Sequence, residues 1–293
     1  MTHLKREALF WERYDSNTVK CLLCPHNCLL KEEQSGICNS RKNENGTLVS
    51  LNYGDVVVKK VDTLGKRLLF YGNHEDPVLS LGSWGCNLCC DWCYNWEIAR
   101  LKPLHLVKKY SPEEIRNEVL YLRKTKGVQT IVFTYNEPLV WVEFIIDICE
   151  ILKSGIDIVL NTNLHVNEKP LLRIIPFIST LNIDLKAFSS FKYALGPKGH
   201  FDAVLKNLKL CVEHGKYVEV TFPLIKGFND DADEFEDLVA FLCKISSEIP
   251  LQIRKGYPTY RHFESSPSED ELQYFRAIAS KYLKHVELVF EEQ

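Results

Sequence analysis

The chain carries eleven cysteines in 293 residues, and eight of them fall into two tight groups. One group is Cys21, Cys24, Cys28 and Cys38; the other is Cys86, Cys89, Cys90 and Cys93. Clustered thiols in a reducing compartment point to metal, because disulfides are disfavoured there and thiolates are soft ligands. Spaced as Cys86-x3-Cys90-x2-Cys93, three thiolates on one loop can take three irons of a cubane cluster and leave the fourth iron open for chemistry. Two other readings stay open on spacing alone. A four-cysteine zinc site would need the adjacent Cys89 and Cys90 to aim at one ion, and Cys86-x2-Cys89-x3-Cys93 is equally short. The amino-terminal four form a closed set, enough for a tetrahedral zinc or for an auxiliary cluster, and a closed set favours structure over catalysis. Cys149, Cys211 and Cys243 stand alone in amphipathic segments and read as small buried hydrophobes.

Such a loop needs a scaffold, and the pattern from residue 76 onward supplies one. Short apolar runs at 78–83, 128–134, 156–161, 180–185, 217–222 and 251–254 alternate with helical patterns at 112–125, 139–153, 168–177, 201–214, 231–246 and 268–282, the signature of βα units on a parallel sheet. Ser111-Pro112-Glu113-Glu114 supplies a cap, a first-turn proline and acids at the positive helix end. The expected fold is α/β, a partial (βα)6 TIM-like barrel, with 286–290 as a further short strand or an edge cover. Six units are too few to close a full barrel. Residues 1–75, rich in glycine and cysteine, read as a small metal-stapled module, and the turn-rich segment 72–77 as the linker to the barrel at 76–293.

In folds of this kind, chemistry gathers at the carboxyl ends of the strands. The cysteine loop follows the first strand. Glu137 follows the second, where it can cap the next helix or hold a cation; Asn161, Thr162 and Asn163 follow the third. Asp184 and Lys186, two apart, point to one side as an ion pair at the barrel mouth or as active-site groups. A net charge of −3 gives no general attraction to nucleic acid or an anionic membrane. Residues 1–10 are too charged for a secretory signal, and the apolar run 144–152 is broken by Asp147 and Glu150, so a cytoplasmic protein is expected.

The cysteine spacing, with Trp92 before the last thiol, resembles the signature of the radical S-adenosylmethionine (SAM) superfamily. The longer string from Gly85 to Trp96 is similar to the branch related to pyruvate formate-lyase activating enzymes, and most closely to the AmmeMemoRadiSam-system radical enzymes. Cys21-x2-Cys24-Pro25-His26-x-Cys28 with Gly36-x-Cys38, Thr134-Tyr135-Asn136-Glu137-Pro138, Leu181 to Lys186, and Gly227-Phe228-Asn229-Asp230 resemble further motifs of that family, in order along almost the whole chain. The resemblance implies a 4Fe-4S cluster on Cys86, Cys90 and Cys93, with Cys89 a bystander. It implies SAM contacts from Trp92 near the adenine, from Glu137 to the ammonium, and from Asn161, Thr162 and Asn163. Asp184, Lys186 and Tyr257 would serve the reaction, Tyr257 standing where relatives place a histidine. Relatives often have Gly-Gly-Glu at 135–137 and a glycine at Leu164, so the backbone at Leu164 is expected to differ. The implied reaction is reductive cleavage of SAM to a 5'-deoxyadenosyl radical that takes hydrogen from a protein or peptide. The alternatives are a small metabolite as substrate, or a metal-binding module without turnover. A low-potential flavodoxin or ferredoxin would supply the electron.

Overall fold

Runs such as Thr130–Phe133 and Tyr217–Leu224 are buried along nearly their whole length, as strands are when helices cover both faces of a parallel sheet. The computed structural model describes residues 6–67, 70–103, 105–152 and 155–290. Its central sheet places β1 (Val58–Thr63), β2 (Pro77–Gly82), β3 (Thr130–Phe133), β4 (Asp157–Thr162), β5 (Thr180–Asp184), β6 (Tyr217–Leu224), β7 (Leu251–Lys255) and β8 (Val286–Val289) side by side in chain order. Strands β2 to β8 run parallel, and β1 lies antiparallel on β2. The order ends at β1 and β8 without pairing them, so the barrel is open along one side.

The expected units are all present. Their helices are α2 (Pro112–Lys126), α3 (Val142–Leu152), α4 (Glu168–Ile174), α6 (Phe201–Glu213), α7 (Ala232–Ile245) and α8 (Glu269–Ala279); two short ones, α1 (Trp96–Arg100) and α5 (Ser190–Leu195), had no periodic signal long enough to read. Ser111 and Glu114 form a capping box at the start of α2, which ends on a left-handed Gly127. The helix expected over 139–153 begins instead as a 3-10 turn, Pro138–Trp141, before α3, and Lys153 lies outside the described residues. The run at 286–290 is a strand over Val286–Val289, and with β1 it brings the sheet to eight strands where six units require six.

The amino-terminal segment forms two small antiparallel sheets, one of Trp11–Arg13, Thr18–Cys21 and Leu29–Lys31, the other of Arg6–Glu7, Thr47–Ser50 and Arg41–Glu44. It does not stop at a linker. Thr63 pairs with Pro77, so the segment read as a connection between domains is the far end of a hairpin within the main sheet, and a boundary at residue 75 falls inside that hairpin. The turn residues at 72–77 belong to that hairpin and not to a linker, and periodicity could not say that both arms join one sheet. Among the described residues, no helix is long and apolar enough to cross a membrane.

One buried ion pair fastens this segment to the barrel. Arg41 and Glu143, on α3, are each about 1% exposed and bonded to one another; Glu143 also accepts from the Leu9 amide, and Arg41 donates to the Leu9 carbonyl. Removing one partner strands a buried charge, which costs about 3–5 kcal/mol. Glu143→Ala is therefore expected to lower the unfolding free energy by about that amount in urea titration, and a loss near that of an exposed pair would refute the structural role.

Candidate active site

The loop at 83–95 has neither helix nor strand to shape it, so its course is set from outside. Gly85 sits at φ +93°, and a Cβ there would meet the Cys38 carbonyl at 2.8 Å, which is why only glycine serves. The Asn136 side chain bridges two points: its Nδ2 donates to the Gly85 carbonyl at 2.9 Å, and its Oδ1 accepts from the Ser83 amide at 3.0 Å. Arg100, on α1, donates to the Cys86 and Leu88 carbonyls, both at 3.3 Å. The Cys89 amide donates to the Pro197 carbonyl at 2.8 Å.

Held this way, Cys86, Cys90 and Cys93 line a cleft at the carboxyl ends of the strands, and Cys89 is absent from its lining. Burial pushes the thiols of Cys86 and Cys93 up and that of Cys90 up to about 12, and a bound metal would draw off their protons. Cys86 Sγ is approached by the Leu88 amide at 3.4 Å and Asn163 Nδ2 at 3.7 Å. Among the described residues, no three His, Cys, Asp or Glu side chains are gathered to hold a single metal ion. Three thiols spread around an open cleft suit a many-iron body, in which each thiolate meets its own iron.

Glu137 lies at the floor, 2% exposed. Burial lifts its carboxyl to about 7, against hydrogen bonds from the Asn163 amide (2.8 Å), the Leu139 amide (2.9 Å) and the Thr162 hydroxyl (2.7 Å). The carboxylate that caps the following turn thus also lines the cleft. Asn161 and Asn163 line the cleft; Thr162 does not, and acts through Glu137. Leu164 sits in left-handed backbone at φ +55°, with the leucine side chain fully buried. Tyr135 likewise sits at φ +76°.

Asp184 and Lys186 pair at 3.0 Å and both line the cleft. Burial works against the Lys186 ammonium, but Asp184 and the nearby Cys90 and Cys93 outweigh it and hold its pKa above the ordinary value. Trp92 packs on Phe228 with ring centres 4.4 Å apart. Tyr257 is placed elsewhere. It does not line the cleft; its hydroxyl donates to the Phe290 carbonyl and its amide donates to the Tyr94 hydroxyl, so it ties the end of β8 to the residue after Cys93. Arg254 and Lys255, one turn of chain earlier, reach the cleft instead. Sequence reasoning missed Asn136 and Arg100, whose roles are hydrogen bonds to carbonyls and leave no spacing signal. It also missed Arg67, which donates to Asp62 (2.8 Å), Ser80 (3.2 Å) and the Tyr135 hydroxyl (2.6 Å) inside the barrel.

Two buried polar atoms at this cleft, Trp92 Nε1 and Asn161 Oδ1, have no protein partner. A donor and an acceptor left over beside a carboxylate and three thiols fit a ligand that carries a cation, a sugar and a base.

The Radical SAM superfamily model matches residues 83–242. An uncharacterized protein of Methanocaldococcus jannaschii is 34% identical over 286 residues, spanning 96% of this chain and 84% of its own. The (2S)-3-sulfopropanediol dehydratase activating enzyme of Klebsiella oxytoca is 27% identical over 131 residues, spanning 44% of this chain and 41% of its own. In fold, a radical SAM methyltransferase from Sphaerobacter thermophilus superposes with a TM-score of 0.58 at 17% identity, covering 98% of this chain and 76% of that one. The loop that carries Cys86, Cys90 and Cys93, the open parallel barrel and the family match agree: this chain belongs to the radical SAM superfamily of enzymes, which use a 4Fe-4S cluster and S-adenosylmethionine.

Proposed function

We propose that this enzyme takes hydrogen from a protein or peptide segment admitted through the open side of its barrel. The observation that carries the reading is a cavity of about 1000 Å³ between the unpaired edges, lined by Lys60, Asp62 and Thr63 of β1 and Glu287, Leu288 and Val289 of β8. It shares Tyr135 and Arg254 with the cluster cleft. Its walls mix both charges with apolar surface, which suits a polypeptide; a phosphorylated metabolite would be better served by a closed, uniformly basic pocket. Similarity to enzymes named for activating glycyl-radical proteins supports the same class of substrate and an external low-potential reductant, a flavodoxin or ferredoxin.

Cys86, Cys90 and Cys93 would hold the cluster, which with SAM supplies a 5'-deoxyadenosyl radical. Glu137 offers its carboxylate to the cofactor's ammonium, an opposite charge in a site from which water is largely excluded. Trp92 and Asn161 offer their unmet donor and acceptor. Lys186, held by Asp184, places a fixed positive charge beside Cys90 and Cys93, where the electron must arrive. Solvent exclusion by the barrel interior protects a radical that would otherwise react with whatever it meets.

Three measurements test this. Cys90→Ala should lose the brown chromophore and its iron, whereas Cys89→Ala should keep both; the opposite pattern would move the cluster to another cysteine set. Glu137→Gln should weaken SAM binding about tenfold or more, the worth of a hydrogen-bonded buried charge, with iron content unchanged in equilibrium binding assays. In a cell extract split by size, the fraction that stimulates 5'-deoxyadenosine formation should be the large one and should be destroyed by protease. Stimulation that passes a small-pore membrane and survives protease would establish a metabolite as the substrate.

A further inference from the structure

The amino-terminal cysteines are brought to one place that the proposed reaction does not use. Cys21 closes its strand with an amide hydrogen bond to the Cys28 carbonyl at 2.9 Å, and a Cβ on Gly36 would lie 3.7 Å from both Cys28 Sγ and Cys38 Sγ. Cys24 lies in the turn between Cys21 and Cys28, its carbonyl accepting from the Asn27 amide at 3.0 Å. Three of the four are buried and Cys28 is half-buried, all as free thiols. Cys21 and Cys38 belong to the apolar core and Cys28 packs against it, yet polar groups reach them. The buried guanidinium of Arg41 lies within electrostatic range of Cys21 and Cys38, and the Ser40 hydroxyl donates to Cys38 Sγ at 3.3 Å. Four free thiols brought together by two turns are the soft donors that a metal centre takes.

The two turns that carry these cysteines also grip the catalytic loop. His26, between Cys24 and Cys28, donates through Nε2 to the Asn87 carbonyl at 2.8 Å and lies edge-on to His165 with ring centres 4.8 Å apart. Asn87 in turn donates to the His165 carbonyl at 2.5 Å and accepts from Asn163, the residue beside Cys86 Sγ. On the other side the Cys38 carbonyl abuts Gly85, and Arg100 joins the Ile37 carbonyl to that of Cys86.

We propose that Cys21, Cys24, Cys28 and Cys38 are the thiolate ligands of a second metal centre, and that filling it sets the two turns which clasp the loop of Cys86. As they stand, the four thiols are not closed around a single ion, so they either draw in on a zinc or spread over a second iron-sulfur body; four thiolates serve both. His26 is then a positioning residue, acting on Cys86 through Asn87. The coupling half rests on the catalytic assignment of Cys86, Cys90 and Cys93; the metal half does not.

Metal content and the electron paramagnetic resonance spectrum of the reduced cluster separate the two halves. The triple variant Cys86→Ala, Cys90→Ala, Cys93→Ala should still carry about one zinc or about four irons per chain, and the further replacements Cys24→Ser and Cys28→Ser should remove that metal. If the triple variant carries no metal, the second centre is wrong; if it keeps its full iron content, the catalytic assignment has failed instead. His26→Phe should keep both metals and its melting temperature, yet shift the spectrum of the reduced catalytic cluster. A spectrum identical to that of the native protein would overturn the coupling.

Discussion

Three cysteines on one short loop share the lining of one cleft, and the backbone that carries them has no ladder of its own. Every residue from 83 to 95 lies outside helix and strand. Its carbonyls and amides are answered instead from around the molecule, by Asn52, Asn136 after β3, Ile98 and Arg100 on α1, Pro197 after α5, His26 in the amino-terminal turns and Arg261. A buried backbone group left unanswered costs of the order of 1–3 kcal/mol, so these clamps hold the loop as firmly as an extra strand would. They also make its shape a property of the whole molecule.

Two strained positions show what the site demands of the chain. Tyr135 and Leu164 occupy left-handed backbone, which costs a residue other than glycine about 1–2 kcal/mol. For Leu164 the offset is burial of the leucine and two hydrogen bonds, its amide to the Thr162 hydroxyl and its carbonyl from Asn207. For Tyr135 it is Arg67, whose guanidinium lies 4.7 Å from the ring centre and donates to its hydroxyl. The tyrosine thereby stands in the passage between the cleft and the open side, and a residue with no side chain would leave that passage wider.

The amino-terminal segment and the barrel are mechanically one body. β1 extends the sheet, Arg41 and Glu143 lock a small antiparallel sheet to α3, and Asn167 at the start of α4 donates to the Leu22 and Cys24 carbonyls. A disturbance at the amino-terminal cysteines therefore has direct covalent and hydrogen-bonded routes to the loop of Cys86. Tyr257 belongs to this framework as well, since it joins the open edge of the sheet to Tyr94.

Local order along the chain determined a good deal by itself. Alternation of apolar runs with capped helical stretches was sufficient for the βα units, because strand burial and helix caps are written within a few residues of each other. That Cys86, Cys90, Cys93 and Glu137 gather in one cleft was legible because each follows the carboxyl end of a strand of one parallel sheet. What only the tertiary structure decided involves partners far apart in sequence. It separated Cys89 from the cleft, turned Tyr257 away from it while bringing in Arg254, placed β1 in the main sheet, and set Arg67 beneath Tyr135. It also carried the cysteines of the first forty residues to the back of the catalytic loop. Spacing is a local quantity, whereas burial and hydrogen-bond satisfaction belong to the packed chain.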